Sequence, residues 1–425
     1  MSPGLSRRQL LAVLSSLGLA ALSSPAARAQ SASARLVVVG GGFGGATASR
    51  FLARLLPEAS VTLVEASREY IACPFSNLVV AGYRDISAQT FEYKALQREG
   101  IRVVHARATA VDSAKRTVSL DSGSRLSYDR LILSPGIDLR WGALEGYTPK
   151  AAERMPHAWR AGLQTMLLRE QLEAMPEGGT MLMSVTAAPF RCPPGPYERA
   201  SLVASYLQRH NPRAKLIILD SNDSFSKQTL FQAAWREHYG NMIEWRSASE
   251  FGRVIRADAN AMRLHTDFDS EVGDVINVVP PQQAGKIAQL AGAVDITGWC
   301  PIDATSFAST LVPDVHVIGD ATIAAPMPKS AFSANQQAKV CAIQVARLLN
   351  GLAPEPTTLA NTCYSYTTPE SAISVSGVYT SADGQFSNVE GAGGVSPSGA
   401  SAEFRRREGQ QAADWFAAVT REAFL

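Results

Sequence analysis

The chain has 425 residues, a formal net charge of +2 and 18% charged residues, and no long run of one charge sign. A nearly neutral chain without a basic stripe is a poor partner for nucleic acid or for an anionic membrane surface, so we expect neither. The length is too great for one ordinary hydrophobic core and predicts two or three domains. No apolar stretch of the mature chain is long enough to predict a transmembrane segment.

The N-terminus predicts export. Twin arginines at positions 7 and 8 precede an apolar stretch, and a small-x-small cleavage site occupies positions 27–29. These features are typical of a twin-arginine signal peptide over residues 1–29, which would deliver the mature chain to the periplasm. An uncleaved anchor is the alternative, but the apolar stretch is shorter than the roughly 20 residues that span a bilayer. Because this pathway carries folded proteins, we expect a cofactor that is acquired before export.

A dinucleotide-binding pattern opens the mature chain. The apolar strand Leu36–Val39 leads into a glycine-rich turn, and Ala46–Leu56 has helical periodicity. Gly40, Gly42 and Gly45 have the spacing that permits a tight turn, close approach of backbone to pyrophosphate and close packing of helix on strand. The helix N-terminus would then hold the phosphates.

Two candidate cofactor-binding residues lie at the end of the second predicted strand, VTLVE, and shortly after it. Glu65 closes that strand, twenty residues after Gly45, and can accept hydrogen bonds from ribose hydroxyls. Cys73 lies in REYIACPFSN, between an apolar run and a proline. The chain has five cysteines, so in an oxidising compartment at least one of them lies outside any intramolecular disulfide.

The middle of the chain repeats the strand, turn and helix frame with a different turn. Strand Thr180–Val185 is followed by TAAPFRCPPGPYE, which has several prolines and one glycine, Gly195. Prolines lack N–H donors, so this turn is not expected to wrap a pyrophosphate, and we predict that NAD(P)H binding is lost. Cys192 lies in the turn, and Glu198 follows six residues later. Cys363 is the other cysteine of interest, but spacing alone does not establish a pairing; both cysteines could be buried small side chains or a structural clip.

A second nucleotide signal lies near the end of the chain. A strand ends at Gly319-Asp320, and a helix begins near Ser330. In flavoproteins with two dinucleotide domains, this Asp320 position reaches the ribityl or pyrophosphate region and the helix N-terminus faces the flavin pyrimidine ring. The stretch YDRLILSPGI, residues 128–137, supplies a return strand into the same domain. FAD is therefore favoured over NAD, and the FAD-binding domain is predicted to be discontinuous.

Several segments between Val37 and Cys363 carry a family resemblance. They include VVVGGGFGGATA, YDRLILSPGI, RCPPGPYERAS, KLIILDSNDSFSKQ, MPKSAFSAN and NTCYS. In these segments the chain resembles the flavoprotein subunit of flavocytochrome c sulfide dehydrogenase, a branch of the sulfide:quinone reductase and glutathione reductase-like flavoproteins. The residues after Cys363 match less distinctly.

The resemblance implies roles for five residues. It implies that FAD is attached through a thioether to Cys73, and that Cys192 and Cys363 form a redox-active disulfide that hydrosulfide attacks. Glu198 is the candidate acid or base beside it, and Lys329 would offset negative charge on the reduced flavin. The alternatives are a buried unmodified thiol for Cys73, a solvated helix-start carboxylate for Glu198 and a surface lysine for Lys329. Cys300 and Cys341 are expected to be packed thiols.

The resemblance also implies a partner. The chain lacks C-x-x-C-H, so any haem c must reside on another subunit, and its six histidines show no metal-ligand spacing, so no metal site is predicted. The implied enzyme is a heterodimer that oxidises hydrosulfide to sulfur or polysulfide and passes electrons to a c-type cytochrome. One alternative is a sulfide:quinone oxidoreductase anchored by the apolar positions in 415–424, which could equally be a core or partner-facing stripe. Another is a flavin-binding module without sulfide chemistry.

The predicted fold is therefore α/β. It consists of two Rossmann-like nucleotide-binding domains of glutathione reductase type, the first discontinuous, and a small C-terminal α+β domain. The FAD-binding domain is predicted at 30–145 and 295–355, and the second Rossmann-like domain, without an NAD(P)H site, at 146–294. The C-terminal domain, 356–425, is expected to form partner surface.

Overall fold

The computed structural model describes residues 34–425. The predicted signal peptide, with its twin arginines and cleavage site, lies outside the described residues. Within 34–425, no helix combines the length and apolar character needed to cross a bilayer.

The first unit is a parallel sheet with short antiparallel additions. Four strands from this part of the chain lie in the order β5-β2-β1-β9, and each neighbouring pair is parallel. The last four residues of β1, Leu36–Val39, are buried, as expected for a parallel strand covered on both faces. The elements in chain order are β1 (Arg35–Val39), α1 (Phe43–Leu55), β2 (Ser60–Val64), β3 (Glu69–Ile71), α2 (Ser76–Val80), β4 (Thr90–Glu92), α3 (Lys94–Arg98), β5 (Arg102–Val104), β6 (Ala108–Asp112), β7 (Thr117–Leu120), β8 (Arg125–Ser127), β9 (Arg130–Leu133) and β10 (Ile137–Leu139).

The second unit has its own parallel sheet. The sheet order is β13-β12-β11-β17, and an antiparallel three-stranded sheet, β14-β15-β16, lies beside it in sequence. A short antiparallel pair, β10 with β18, joins the two units. The elements in chain order are α4 (Leu163–Glu173), β11 (Thr180–Val185), α5 (Gly195–His210), β12 (Lys215–Asp220), α6 (Gln228–Tyr239), β13 (Ile243–Arg246), α7 (Ala248–Phe251), β14 (Val254–Asp258), β15 (Arg263–Thr266), β16 (Ser270–Val272), β17 (Val275–Val279), β18 (Gln282–Ala284) and α8 (Lys286–Leu290).

The chain then returns to the first sheet. Strand β19 (Val315–Val317) pairs in parallel with β9 and completes the five-stranded order β19-β9-β1-β2-β5. Helix α9 (Ala331–Leu349) packs against α1. The first Rossmann-like unit is thus built from two separated stretches of chain, which confirms the predicted discontinuity. The numerical domain boundaries stay predictions, because they fall in the segments that connect the sheets.

The C-terminal unit is α+β. Strands β20 (Thr358–Tyr366), β21 (Ala372–Thr380), β22 (Ser387–Asn388) and β23 (Gly394–Val395) are antiparallel, and α10 (Ala402–Phe424) packs on β21 and α1. The apolar face of α10 is buried, and Phe416 and Phe424 stack on aromatic rings of the first unit. Of the possibilities left open for residues 415–424, the structure therefore supports a core stripe. The role of this unit as partner surface stays a prediction.

Candidate functional site

The glycine-rich turn is closely packed at Gly40 and Gly45 and less crowded at Gly42. Gly40 has φ +101°, and a Cβ there would lie 2.2 Å from the Ser134 carbonyl oxygen. A Cβ on Gly45 would lie 1.8 Å from the Gly40 carbonyl oxygen, because α1 is held tightly against β1. At Gly42, the nearest atom to a Cβ is in the Tyr70 ring at 3.5 Å. Protein packing thus requires glycine at the first and third positions, whereas a Cβ on Gly42 would make only ordinary contact with the Tyr70 ring. Glycine at Gly42 fits close approach of a phosphate group to the backbone.

Glu65 lies where a ribose acceptor is expected. Its Oε2 accepts from the backbone N–H of Gly41 at 2.7 Å, and its Oε1 accepts from that of Ser67 at 2.9 Å. A carboxylate has about four lone-pair sites, so acceptor capacity remains for hydroxyl groups. The two backbone bonds fix the carboxylate beside the turn, as the sequence predicts for an adenosine ribose site.

Asp320 has a buried oxygen that needs a donor. The residue lies in a short 3-10 turn, Gly319–Ala321, directly after β19. Its Oδ1 is buried and has no hydrogen-bond partner within 34–425, and its Oδ2 lies 4.0 Å from Nη1 of Arg191. Burial raises the pKa of this carboxyl group. An unpartnered buried oxygen is costly, so a ligand hydroxyl, such as one of the flavin ribityl chain, fits this position.

The start of α9 lies beside Asp320. Ser330 is the N-cap of this helix, and its Oγ accepts from the backbone N–H of Ser333 at 3.0 Å. Lys329 donates from Nζ to the carbonyl oxygens of Asp320 and Thr322, at 3.0 and 2.5 Å, and lies 3.8 Å from the Trp299 ring centroid. Burial lowers the pKa of Lys329 to about 8. Lys329 is partly exposed, but its ammonium group is held by two carbonyl oxygens, which favours the predicted role over a freely solvated surface lysine.

Cys73 lies in the first unit, shortly after β3. It is partly exposed, and its Sγ lies 3.9 Å from the carbonyl oxygen of Trp159. The guanidinium of Arg191 donates to that same carbonyl oxygen and, as described above, faces Asp320. A partly exposed thiol close to the predicted ribityl contact fits attachment to a flavin, so the FAD-binding residues of the described chain fit this cofactor.

Cys192 connects the second unit to the start of α9. Its backbone N–H donates to the Lys329 carbonyl oxygen at 2.8 Å, and its φ of +55° is in the left-handed region. A Cβ on Gly195 would lie 3.1 Å from Cys192 Sγ and 3.0 Å from the Trp159 ring, so glycine makes room for both side chains. Burial raises the pKa of the Cys192 thiol, and negative charge on Cys363 and Glu198 raises it further.

Cys363 reaches the same place from β20. Its Sγ accepts from Asn361 Nδ2 at 3.2 Å, while Asn361 Oδ1 accepts from Ser330 Oγ at 2.7 Å. The thiol is close enough to Cys192 to influence its titration. Cys192 and Cys363 are thus both tied to the start of α9. All five cysteines are free thiols in this structure, and the pairing of Cys192 with Cys363 stays a prediction.

A cavity of about 180 Å³ opens at Cys363. Its lining comes from the proline-rich turn, from the 326–328 segment and from β20 and β21; Pro193, Pro194, Ser226, Asn361 and Tyr379 are among the lining residues. Cys192 is not part of this lining. A small sulfur anion that enters the cavity therefore meets Cys363 first.

Glu198 is held where the three units meet. It lies in the first turn of α5, and its Oε1 accepts from the backbone N–H of Tyr366 at 2.9 Å. Its Oε2 accepts from Asn77 Nδ2 at 2.7 Å. Burial raises the pKa of Glu198, against the opposing effect of these hydrogen bonds. The alternative of a solvated helix-start carboxylate is wrong, because both oxygens are bound by the protein.

Two buried cations near the cysteines were not predicted from the sequence. Lys227 donates from Nζ to the Cys363 carbonyl oxygen at 2.9 Å and to Ser365 Oγ at 2.8 Å. Arg199 is almost completely buried and donates to Asn77 Oδ1 at 2.9 Å. Both residues lie in sequence segments that carry the family resemblance, but no spacing pattern distinguished them from surface residues.

The nucleotide position of the second unit is filled by protein side chains. Asp220 is the last residue of β12, and Glu65 occupies the corresponding place directly after β2 in the first unit. Unlike Glu65, Asp220 is fully buried. Its Oδ2 accepts from Tyr197 Oη at 2.6 Å and from Trp245 Nε1 at 2.9 Å. Tyr197 stacks on Phe225, with ring centroids 3.7 Å apart. This arrangement leaves the carboxylate without room for a ribose and supports the predicted loss of NAD(P)H binding.

The other two cysteines are packed inside the fold. Cys300 and Cys341 have no exposed surface. Burial raises the pKa of Cys300 to about 12 and also raises that of Cys341. Neither lines the cavity at Cys363, so both provide control positions for cysteine substitutions.

Three family models cover most of the described chain. The model for pyridine nucleotide-disulphide oxidoreductases matches residues 34–160, the central model of the sulfide dehydrogenase (flavocytochrome c) flavoprotein chain matches 165–280, and the flavin-binding model of flavocytochrome c sulphide dehydrogenase matches 355–424. The first and third matches fall on the two parts that hold the glycine-rich turn and Cys363.

Individual relatives agree with these models. The flavoprotein chain of a flavocytochrome c sulfide dehydrogenase from Chlorobaculum thiosulfatiphilum is 58% identical over 45 residues, which are 11% of this chain and 94% of that sequence. The mitochondrial sulfide:quinone oxidoreductase of Mus musculus is 22% identical over 68% of this chain, and the match spans slightly less than two thirds, 65%, of the mouse protein. The sulfide:quinone oxidoreductase structure from Aquifex aeolicus has the same fold, with a TM-score of 0.74, 16% identity and 92% of each chain covered. The chain therefore belongs to the flavoproteins of the flavocytochrome c sulfide dehydrogenase and sulfide:quinone oxidoreductase type.

Proposed function

We propose that this chain is the FAD-bearing subunit of a periplasmic sulfide dehydrogenase that oxidises hydrosulfide to polysulfide or sulfur and passes electrons to a c-type cytochrome. The observation that carries the proposal is that Cys192 and Cys363 are both tied to the start of α9, Cys192 through the Lys329 carbonyl oxygen and Cys363 through Asn361 and Ser330. Cys363 also lines the cavity.

The FAD would be held by the first unit. Gly42 leaves space for the pyrophosphate, Glu65 can accept from the ribose, and the free oxygen of Asp320 can accept from a ribityl hydroxyl. Cys73 would form the thioether, which keeps the cofactor on an enzyme that works outside the cytoplasm. When bound, FAD supplies an acceptor for two electrons.

The two cysteines would carry the sulfur chemistry. Hydrosulfide attacks Cys363 Sγ from the cavity, the disulfide bond breaks, and the products are a persulfide on Cys363 and a thiolate on Cys192. A second hydrosulfide attacks the outer sulfur of the persulfide, which releases HSSH, the shortest polysulfide, and leaves a thiolate on Cys363. When the two thiolates join again as a disulfide, the two electrons they lose would pass to the acceptor that FAD supplies when it is bound, and these electrons balance the oxidation of two hydrosulfide ions to HSSH.

Glu198 would set the protonation state of the Cys192 thiol during this cycle. Its pKa is raised by burial, and its negative charge is close enough to Cys192 to raise the pKa of that thiol. A protonated Glu198 therefore favours the thiolate on Cys192, whereas an ionised Glu198 favours the thiol. In its ionised form the carboxylate can accept a proton from the Cys192 thiol, which leaves the thiolate that rejoins the disulfide.

The electron acceptor distinguishes the two candidate enzymes. The family model and the Chlorobaculum relative support a cytochrome partner, and the apolar face of α10 is already used in the core and offers no anchor to a membrane surface. Reduction of a quinone is the second candidate, supported by the mouse relative.

An anaerobic sulfide titration tests the proposal. Wild type should lose its flavin absorbance near 450 nm, whereas Cys192→Ser and Cys363→Ser should lose it at least 100-fold more slowly. Cys300→Ser is the matched control and should behave as wild type. Equal bleaching in all four proteins would refute the role of the disulfide.

A second assay identifies the acceptor and the compartment. Sulfide-dependent reduction of a soluble c-type cytochrome should exceed reduction of a water-soluble ubiquinone analogue, and the opposite order would favour the quinone enzyme. Replacement of the twin arginines by lysines should retain the protein in the cytoplasmic fraction. Export that is unaffected by this change would refute the twin-arginine route.

A further inference from the structure

Lys227 is a buried cation beside the two cysteines. Its side chain is only 8% exposed. The ammonium group donates to the Cys363 carbonyl oxygen at 2.9 Å and to Ser365 Oγ at 2.8 Å. Burial lowers the pKa of Lys227 to about 8, while negative charge on neighbouring groups opposes this effect. A cation in such a place needs negative charge nearby to be stable.

The carboxylates that face Lys227 are bound elsewhere. Glu198 on α5 accepts from Tyr366 and Asn77. Glu408 on α10 accepts from Ser374 Oγ at 2.6 Å and from Arg405 Nη1 at 3.0 Å. No carboxylate oxygen of the described chain forms an ion pair or hydrogen bond with Lys227 Nζ. The remaining groups that face it are the thiols of Cys363 and Cys192.

The backbone at Lys227 also departs from ordinary geometry. The residue precedes α6 and has φ +62°, in the left-handed region that residues with a side chain rarely adopt. This conformation is maintained at a small cost in free energy. The carbonyl oxygen of Lys227 accepts from the N–H groups of Leu230 and Phe231, both at 3.0 Å, so the first turn of α6 fixes the position from which the side chain extends.

We propose that Lys227 is a positioning residue whose ammonium charge stabilises the thiolates that form when the bond between Cys192 and Cys363 opens. This inference rests on the proposed function. The bond to the Cys363 carbonyl oxygen keeps the charge at one place while the cysteines change between disulfide and thiolate. The thiol of Cys192 most needs such a charge, because burial disfavours its ionised form. Lys227 itself neither donates nor accepts a proton in the cycle.

The test measures the ionisation of the cysteines without sulfide. Full-length FAD-containing protein is reduced with a phosphine, and the alkylation rates of the Cys192 and Cys363 peptides by iodoacetamide are followed by mass spectrometry from pH 6 to pH 10. Lys227→Gln keeps a hydrogen-bond donor but removes the charge, and Lys227→Arg keeps the charge. Ser365→Ala removes one partner of the lysine and leaves its charge, so it is the matched control.

The neutral variant should slow the alkylation of Cys192 about ten-fold or more at pH 7 and move the midpoint of its rate profile upward. The arginine and Ser365→Ala variants should stay within about three-fold of wild type. The difference in Cys192 alkylation rate between wild type and Lys227→Gln should shrink above pH 8, where the lysine loses its own charge.

Superimposable profiles for wild type and the glutamine variant would overturn the proposal. If Lys227→Gln does not fold, as judged by flavin absorbance and circular dichroism, the comparison of wild type with Lys227→Arg decides instead. The two Cys192 alkylation rates should agree within about three-fold at pH 7, and the wild-type rate should fall behind the arginine rate above pH 8, where only arginine keeps its charge. A wild-type profile that stays parallel to the arginine profile would also refute the role of the ammonium charge. Since no sulfide is used, this result is independent of whether the protein oxidises hydrosulfide.

Discussion

The glycine-rich turn offers two alanine substitutions that separate folding from flavin binding. In Gly45→Ala, the new Cβ would lie 1.8 Å from the Gly40 carbonyl oxygen and 3.3 Å from Val38 Cγ1, whereas in Gly42→Ala the nearest atom, in the Tyr70 ring, is 3.5 Å away. Because real Cβ contacts are longer than 3.0 Å, α1 would have to move away from β1 by about 1 Å or more in the first variant. Overpacking of this kind costs about 1–3 kcal/mol of unfolding free energy. Gly42 is the N-cap of this helix, where alanine costs about 1 kcal/mol and glycine only a few tenths relative to the best capping residues, so Gly42→Ala loses somewhat less than about 1 kcal/mol.

The assay compares flavin content with stability. Gly42→Ala should lose less unfolding free energy than Gly45→Ala in urea but be purified with at least ten-fold less FAD, since its methyl group would occupy the space into which the pyrophosphate fits. Gly45→Ala should lose unfolding free energy and FAD together. A Gly42→Ala protein with a full complement of FAD would refute the placement of the pyrophosphate at this turn. A Gly45→Ala protein with unchanged stability would refute the steric argument.

Three further predictions concern the cofactor, the pH dependence and the electron donor. Cys73→Ser should bind FAD but lose its mass on denaturation, whereas wild type should retain one FAD mass; an adduct that persists in the variant would place the bond elsewhere. Because burial raises the pKa of Glu198 above its ordinary value of 4.5, the folded chain holds that proton more tightly than the unfolded chain, and the stability this provides is complete below pH 4.5 and lost as pH rises through the raised pKa. The unfolding free energy of wild type should therefore fall relative to that of Glu198→Gln across this window in urea titrations, and parallel pH curves would contradict the raised pKa. Finally, millimolar NADH should leave the flavin absorbance unchanged under conditions where sulfide bleaches it, because Asp220 is already saturated by protein donors; bleaching by NADH would show that the second nucleotide site survives.

Local patterns predicted the frame of the fold well. Strand Thr180–Val185 has the predicted bounds, and the first strand differs from the prediction only by Arg35. The first helix begins earlier than predicted, at Phe43, because packing of the helix against β1 places Gly44 and Gly45 in its first turn although glycine has low helix propensity. The periodicity of apolar residues depends on neighbours in sequence, which is why it was a reliable guide here.

The candidate site was only partly predictable, because its geometry depends on tertiary contacts. Cys192 and Cys363 come from different units, and nothing in their spacing brings them together; the family resemblance alone suggested the pair. Lys227 was missed because its inward direction follows from a left-handed backbone conformation before α6. A lysine between a serine and a glutamine has no sequence feature that distinguishes it from a solvated residue.

The two Rossmann-like units show how one frame can lead to different chemistry. In the first, a Cβ on Gly42 of the glycine-rich turn would make only ordinary contacts, and Glu65 uses only part of its acceptor capacity on N–H groups. In the second, the turn contains prolines where the first has glycines, and the carboxylate of Asp220 accepts hydrogen bonds from Tyr197 and other donors. The turn that would have held a second nucleotide instead carries Cys192, whose N–H is bonded to the segment that begins α9. The predicted loss of the nucleotide and the presence of the cysteine therefore concern one and the same turn, which agrees with the proposal that a sulfur compound and not NAD(P)H supplies electrons to the flavin.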